Sequence, residues 1–180
     1  YVSFDLETTG FSVIHDGITE FGAVKIKNGE VIDRLQSFVN PGKKIGTRVS
    51  QLTNITNEMV ADAPTIKEFL PQILEFFGDA ILVAHNAKFD IGFLNESLKR
   101  LNQKPITNPV IDSLALARAI MKPMKSYRLG NVCRVYRVNY DDDVAHRADY
   151  DAEVLGAVFT TMLHSIMQSG NYNLLDLNKL

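Results

Sequence analysis

Asn28-Gly29, set between two runs in which apolar and polar residues alternate (Phe21 to Lys27 and Val31 to Val39), constrains the fold more than any other feature of the chain. A two-residue connection of this kind needs positive φ at both positions, which Asn and Gly tolerate, so the runs are expected to pair as a hairpin through a type I′ turn. Tyr1 to Asp5 reads as an earlier short strand with Val2 and Phe4 on one face, and Asn40-Pro41-Gly42 ends the third strand. The period then changes. Ile66, Phe69, Leu70, Ile73, Leu74 and Phe77 recur at helical spacing, with Pro64 at a first-turn position and Gly78 at the end. Ala80 to His85 is a continuous apolar run, which suggests a strand covered on both faces. Further helices are expected at about 89–101, 113–121, 129–136 and 148–168, with a short strand at 109–112. Lys43 to Asp62 is polar and irregular apart from one helical turn capped by Thr56 or Ser50. A hairpin followed by strands alternating with helices makes a mixed α/β sheet.

Composition limits the function classes. With 180 residues, 46% of them hydrophobic, the chain can fill one core, so residues 1–180 are expected to form a single domain. No apolar run is long enough to span a bilayer and no signal-peptide pattern opens the chain, so a membrane is not an expected partner. The single cysteine, Cys133, excludes a disulfide framework and a thiolate zinc site and reads as a small buried residue of a cytoplasmic protein. No G-x-G-x-x-G follows the first strand, so a Rossmann dinucleotide site is excluded. A formal charge of −2 argues against a purely electrostatic nucleic-acid binder. Tyr1 without a Met, and an end just after the last helix at Leu180, suggest a segment taken from a longer protein.

The chemistry is carried by acidic residues. Asp5 and Glu7 at the end of the first strand project on the same side, while Leu6 enters the opposite layer. Two adjacent carboxylates repel unless a cation lies between them, and oxygen donors at this density suit Mg²⁺ or Mn²⁺. A solvated pair is the simpler explanation of an isolated D-x-E. Asp90, in His85-Asn86-Ala87-Lys88-Phe89-Asp90, falls in the first turn of a helix, where it could merely complement the helix dipole. Asp151 shares a helix stripe with Leu155, Val158 and Met162 and so points inward, where a carboxylate must be paired or bind metal. Asp149 and Glu153 lie off that stripe and are expected in water. His85 reads as a structural hydrogen-bonding residue, and His15 and His164 as incidental. Lys43, Lys44 and Arg48 form a modest basic cluster, and Asp141-Asp142-Asp143 reads as a solvated loop without EF-hand spacing.

Three motifs stand in order: Phe4-Asp5-Leu6-Glu7-Thr8-Thr9-Gly10, then His85 to Asp90, then His146-Arg147-Ala148-Asp149-Tyr150-Asp151. With them stand Leu52-Thr53-Asn54-Ile55-Thr56, Val110 to Arg118 and Arg128-Leu129. The set resembles the DEDDh family of 3′→5′ exonucleases, and within it the proofreading exonuclease domain of PolC-type bacterial DNA polymerase III, followed by the separate epsilon proofreading subunit. His146 and Asp151 stand five positions apart, as the DEDDh branch requires. The resemblance implies a ribonuclease-H-like fold: a mixed five-stranded sheet with an N-terminal three-stranded hairpin or meander and helices on both faces.

By the same resemblance, Asp5, Glu7, Asp90 and Asp151 are the ligands of two divalent metal ions, Mg²⁺ or Mn²⁺, and His146 is the base. An unperturbed imidazole pKa of about 6.5 suits that role near neutrality. The backbone around Thr8 and Thr9 is implied to lie near the terminal 3′-hydroxyl, with Gly10 letting the chain turn away. Ile55 and Phe89 could pack on the last bases or belong to the core, and Asn86 could bond a phosphate or only fasten its loop. The implied reaction is hydrolysis of single-stranded or frayed DNA 3′ ends to nucleoside 5′-monophosphates. A polymerase domain in the same chain or replisome is an implied partner. A sliding clamp is a further one, although no clear clamp-binding peptide is present. Two alternatives remain: an RNA-directed exonuclease of the same fold, which these motifs do not separate from a DNA-directed one, and a non-catalytic metal- or partner-binding module. The latter is disfavoured because all four acidic positions and the His are filled.

Overall fold

A computed structural model describes residues 1–169 of the chain. Its strands are β1 (Val2–Thr8), β2 (Ile18–Lys27), β3 (Glu30–Phe38), β4 (Leu82–Ala84) and β5 (Val110–Asp112), joined in one five-stranded sheet of order β3-β2-β1-β4-β5. The β1–β2 and β2–β3 pairs are antiparallel, whereas β4 and β5 run parallel to β1. Asn28 and Gly29 have φ of 53° and 83°, the left-handed pair that the turn between β2 and β3 demands. The sheet is therefore mixed, as the order of patterns implies. Among the described residues no helix is long and apolar enough to cross a membrane.

The helices are α1 (Thr47–Thr53), α2 (Asn57–Ala61), α3 (Ile66–Phe77), α4 (Ala87–Arg100), α5 (Ser113–Ile120), α6 (Leu129–Tyr136) and α7 (Ala148–Ser169). On one face of the sheet Phe4, Leu6 and Phe21 pack with Phe69, Ile73 and Phe77 of α3 and with Phe93 and Leu94 of α4. On the other, Val83 packs with Leu116 of α5, Val132 and Cys133 of α6, and Leu155, Val158 and Phe159 of α7. Cys133 is buried, as expected.

Local differences from the sequence expectation have physical causes. Pro64 lies outside α3: Thr65 is the N-cap and forms a capping box with Glu68, while the Pro64 carbonyl accepts the Asn40 N–H at 2.9 Å. The alternation in β3 is not a core signal, because β3 is an edge strand and Val31 and Ile32 remain 39% and 56% exposed. The segment expected to hold one helical turn contains both α1 and α2, the second capped by Thr56. Around them Ile45, Ile55 and Val60 make a small separate core.

Helix α7 lies unusually close to β1 and β2. The Ser3 hydroxyl donates to the Ala152 carbonyl at 2.8 Å, and a Cβ at Gly22 would overlap the Ala148 carbonyl group. At Gly156 the atoms nearest to an added Cβ belong to the side chains of Ile26, Ser3 and Val24. Backbone yields less readily than a side chain, so Gly22→Ala should destabilise by about 1–3 kcal/mol, and more than Gly156→Ala. Urea unfolding midpoints of the two variants check this; an unshifted midpoint for Gly22→Ala contradicts it.

Candidate active site

The alternation of β1 sends Val2, Phe4 and Leu6 into the α3/α4 core and leaves Ser3, Asp5 and Glu7 on the α7 side. Cross-strand partners share a face, so Gly22 opposite Asp5 and Glu20 opposite Glu7 lie on that side too. Gly22 leaves the room into which the start of α7 descends. Asp90 stands in the first turn of α4, buried, and accepts the Leu6 N–H at 3.2 Å, which ties it to the middle of the Asp5-Leu6-Glu7 segment. Asp151 stands in the first turn of α7, also buried. It accepts the His146 N–H at 3.0 Å and the Tyr140 hydroxyl at 3.4 Å. His146 is exposed, with φ of 65°, at the bend before α7. Its ring, Glu7 and Asp151 bring ligand atoms within 4.8 Å of one another.

Crowding these acids out of water changes their chemistry. Burial, then repulsion from Asp90, Glu7 and Asp151, raises the Asp5 carboxyl well above the usual carboxylate range. Burial, then Asp151, Glu20 and Asp90, pushes Glu7 up to about 9. Asp90 is pushed up to about 8, chiefly by burial and against the help of the backbone N–H groups of Asp90 and Leu6. Asp151 is also raised by burial, and the His146 N–H partly offsets this. Four acids that each resist ionisation, aimed at one cleft, form a site whose charged state calls for a cation.

The remaining residues divide between cleft and scaffold. Thr8 is buried and donates to the Gly10 carbonyl at 2.7 Å; the Thr9 N–H is bonded to the Gly17 carbonyl at 2.8 Å and its hydroxyl to Asp16 at 3.1 Å. Gly10 does not have positive φ. The chain bends at residues 9–11 as expected, and a Cβ at Gly10 would strike the Asp16 carboxylate, which the Ser12 N–H and Lys43 hold in place. Ile55 is fully buried with Ile45 and Val60, so the core alternative holds and no face of it is offered to a base. Phe89 is half-buried, packed on Phe93 at 5.0 Å between ring centroids, with Phe11 edge-on at 6.3 Å. Asn86 is exposed with φ of 71°, its N–H bonded to Asp112 at 3.0 Å, so the backbone fastens the loop while the side chain faces outward.

His85 is structural, with ring nitrogens 2.8 Å from the Ser113 hydroxyl and 2.8 Å from the Tyr127 carbonyl. Lys43 is held by Asp16 and the His15 carbonyl, while Lys44 and Arg48 are exposed. Asp149 is exposed, and Glu153 pairs with Arg34 rather than only with water. Three residues escaped sequence reasoning. Phe11 is 91% exposed immediately after the first motif. Tyr140 reaches Asp151 from a loop whose only sequence signal was acidity. Glu20 is fully buried, a lone charge inside Ile18-Thr19-Glu20-Phe21, which was the available signal.

Comparison with known proteins shows the family. The family model described as Exonuclease matches residues 2–159, most of the chain. The chain belongs to this exonuclease family. A PolC-type DNA polymerase III of Bacillus cereus is 42% identical over 170 residues, 94% of this chain and 12% of that protein. The corresponding protein of Ureaplasma parvum is 47% identical over 181 residues, 99% of this chain and again 12% of its own length. The exonuclease chain thus spans about an eighth of these relatives. Among solved structures, Exonuclease X in complex with 5′ overhanging duplex DNA superposes with a TM-score of 0.73 at 24% identity, covering 98% of both chains. E. coli Exonuclease I in complex with a dA16 oligonucleotide gives 0.80 at 18% identity, covering 93% of this chain and 41% of that one. Both likenesses establish the ribonuclease-H-like fold.

The donor set fits a hard divalent ion: carboxylate oxygens predominate, burial first and mutual repulsion second favour their protonation, and one imidazole stands beside them. Because each acid has a higher pKa folded than unfolded, the folded exonuclease holds extra protons between about pH 4.5 and about 9, the ordinary and shifted values for Glu7. Stability in EDTA should therefore fall as pH rises through that window. Thermal melts between pH 6 and 9 should show a falling Tm, restored by Mn²⁺, with Glu7→Gln melting above the parent at the alkaline end. A Tm that is flat or rises with pH in EDTA contradicts the electrostatic description.

Proposed function

We propose that this exonuclease domain removes nucleotides from the 3′ end of single-stranded or frayed DNA, proofreading for a DNA polymerase III of the PolC type. The observation that supports the proposal is the proximity of acids from β1, α4 and α7: Asp90, Glu7 and Asp151 repel Asp5, and Glu7 and Asp151 bring ligand atoms within 4.8 Å of the ring of His146. The 42–47% identity to PolC-type polymerases supports DNA as substrate and a longer polymerase chain as context.

Asp5, Glu7, Asp90 and Asp151 would hold the divalent ions. When bound, two such ions lower the pKa of water and neutralise charge on the oxygens of the scissile phosphate. His146, exposed at the cleft rim, accepts the proton of the attacking water. The water oxygen bonds to the phosphorus of the terminal phosphodiester, the P–O3′ bond to the penultimate nucleotide breaks, that 3′ oxygen takes up a proton, and the terminal nucleotide leaves as a nucleoside 5′-monophosphate. Phe11 and Phe89 provide an apolar surface against which terminal bases can stack without regard to sequence. Unstacking is cheapest at a mismatch, so a frayed terminus is the favoured substrate.

With 5′-labelled DNA oligomers and Mg²⁺ or Mn²⁺, stepwise shortening from the 3′ end is expected. Asp5→Ala should abolish it, and His146→Ala should lower kcat by about 10²–10⁴-fold, the span of general-base contributions. Undiminished cleavage by Asp5→Ala would remove the basis of the proposed metal site. A faster rate on matched RNA oligomers would replace DNA proofreading by RNA trimming while leaving the exonuclease assignment in place.

A further inference from the structure

Glu20 is fully buried on β2, opposite Glu7, yet protein donors satisfy both of its oxygens. Oε1 accepts from Gln36 Nε2 at 2.8 Å and from Arg147 Nη2 at 2.9 Å. Oε2 accepts from Arg147 Nε at 3.1 Å and from the Ala148 N–H at 3.0 Å. Each oxygen thus takes two donors, and the acid is satisfied without leaving its strand. The Arg147 guanidinium is held on its other side by the Phe38 ring, 5.1 Å from the ring centroid. Arg147 and Ala148 are the two residues that follow His146.

His146 itself has little to hold it. Its ring is exposed, its φ is 65°, and its own backbone bond runs to Asp151. A non-glycine residue in the left-handed region persists only when its neighbours fix the chain on both sides. The Asp151 carboxylate fixes one side, through the His146 N–H. Glu20 fixes the other, by anchoring residues 147 and 148 to the strand pair that carries Asp5 and Glu7.

We infer that Glu20 is a positioning residue for the general base: clamping Arg147 and the Ala148 N–H, it fixes His146 at the rim of the carboxylate cleft. This rests on the proposed role of His146 as base. The clamp needs both carboxylate oxygens as acceptors. A Gln at position 20 offers one acceptor, and its NH₂ must face a donor whichever way the amide is turned. Glu20→Gln therefore breaks the clamp with almost no change in volume.

The test measures single-strand exonuclease kinetics for the parent, Glu20→Gln, His146→Ala and the double variant, with folding checked by circular dichroism below each melting temperature. Glu20→Gln should lose about 10–100-fold in kcat, as a misplaced catalytic group does, with KM for the oligonucleotide and the Mn²⁺ half-activation concentration little changed. In the His146→Ala background the same substitution should cost nothing further, because the group it positions is gone. Arg147→Gln, at a partly exposed position, should repeat the pattern more weakly and keeps the test open if Glu20→Gln does not fold. Equal losses in both backgrounds, full kcat in folded Glu20→Gln, or a shifted Mn²⁺ requirement would each overturn the inference. Full kcat in His146→Ala would overturn it as well, and would mark the base assignment itself as the part that failed.

Discussion

Burial of Asp5, Glu7, Asp90 and Asp151, to which repulsion from neighbouring acids adds at Asp5 and Glu7, is the constraint around which the rest of the molecule is arranged. Carboxylates forced out of water and toward one another favour dispersal or protonation, so rigid elements must hold them together. Three elements do so. Strand β1 is hydrogen-bonded on both sides, to β2 and to β4, and presents Asp5 and Glu7 from the centre of the sheet. Helices α4 and α7 each place an Asp in the first turn, where the positive end of the helix dipole partly supports its charge.

The close approach of α7 to the sheet follows from the same need. Gly22 and Gly156 remove side chains where the helix passes β1 and β2, and Ser3 bonds directly to the helix backbone. This brings Asp151 and the preceding bend down to Glu7. The buried Glu20–Arg147 pair lies at the same junction. Such a pair gains little net stability from its charge alone, since desolvation offsets attraction. Its bidentate geometry supplies direction: the start of α7 can sit on β2 in one orientation.

Features whose cause is local in the chain were legible in the sequence. Asn28-Gly29 specifies its turn by its own backbone preferences, and Asp5 and Glu7 share a face because strands alternate. Asp90 and Asp151 could be placed on helix first turns from periodicity, and the ordered motifs pointed to the fold that the solved relatives display. What was not legible depends on contacts far apart in the chain. Glu20 meets a residue 127 positions away, so only the folded sheet reveals its partner. Ile55 is apolar in an irregular loop, and nothing local distinguishes a base contact from the small core it joins. Phe11 could have packed inward like the other phenylalanines, and only the path of the loop pinned by Asp16 leaves it in solvent. The alternation of β3 was real, but the position of that strand at the sheet edge left its apolar residues uncovered.

The chain's formal charge of −2 misdirects unless it is resolved in space: a group of its acids is concentrated in one place, where bound divalent ions would neutralise the local charge. Calorimetric titration of the metal-free protein with Mn²⁺ at pH 7.5, in two buffers of different ionisation enthalpy, tests this central point most directly. Acids held protonated by burial and repulsion must release protons as the ion enters, so the heat of binding should depend on the buffer in the sense of net proton release. Binding with a buffer-independent heat, or no binding at all, would contradict a cleft charged by its own crowded carboxylates and neutralised by metal.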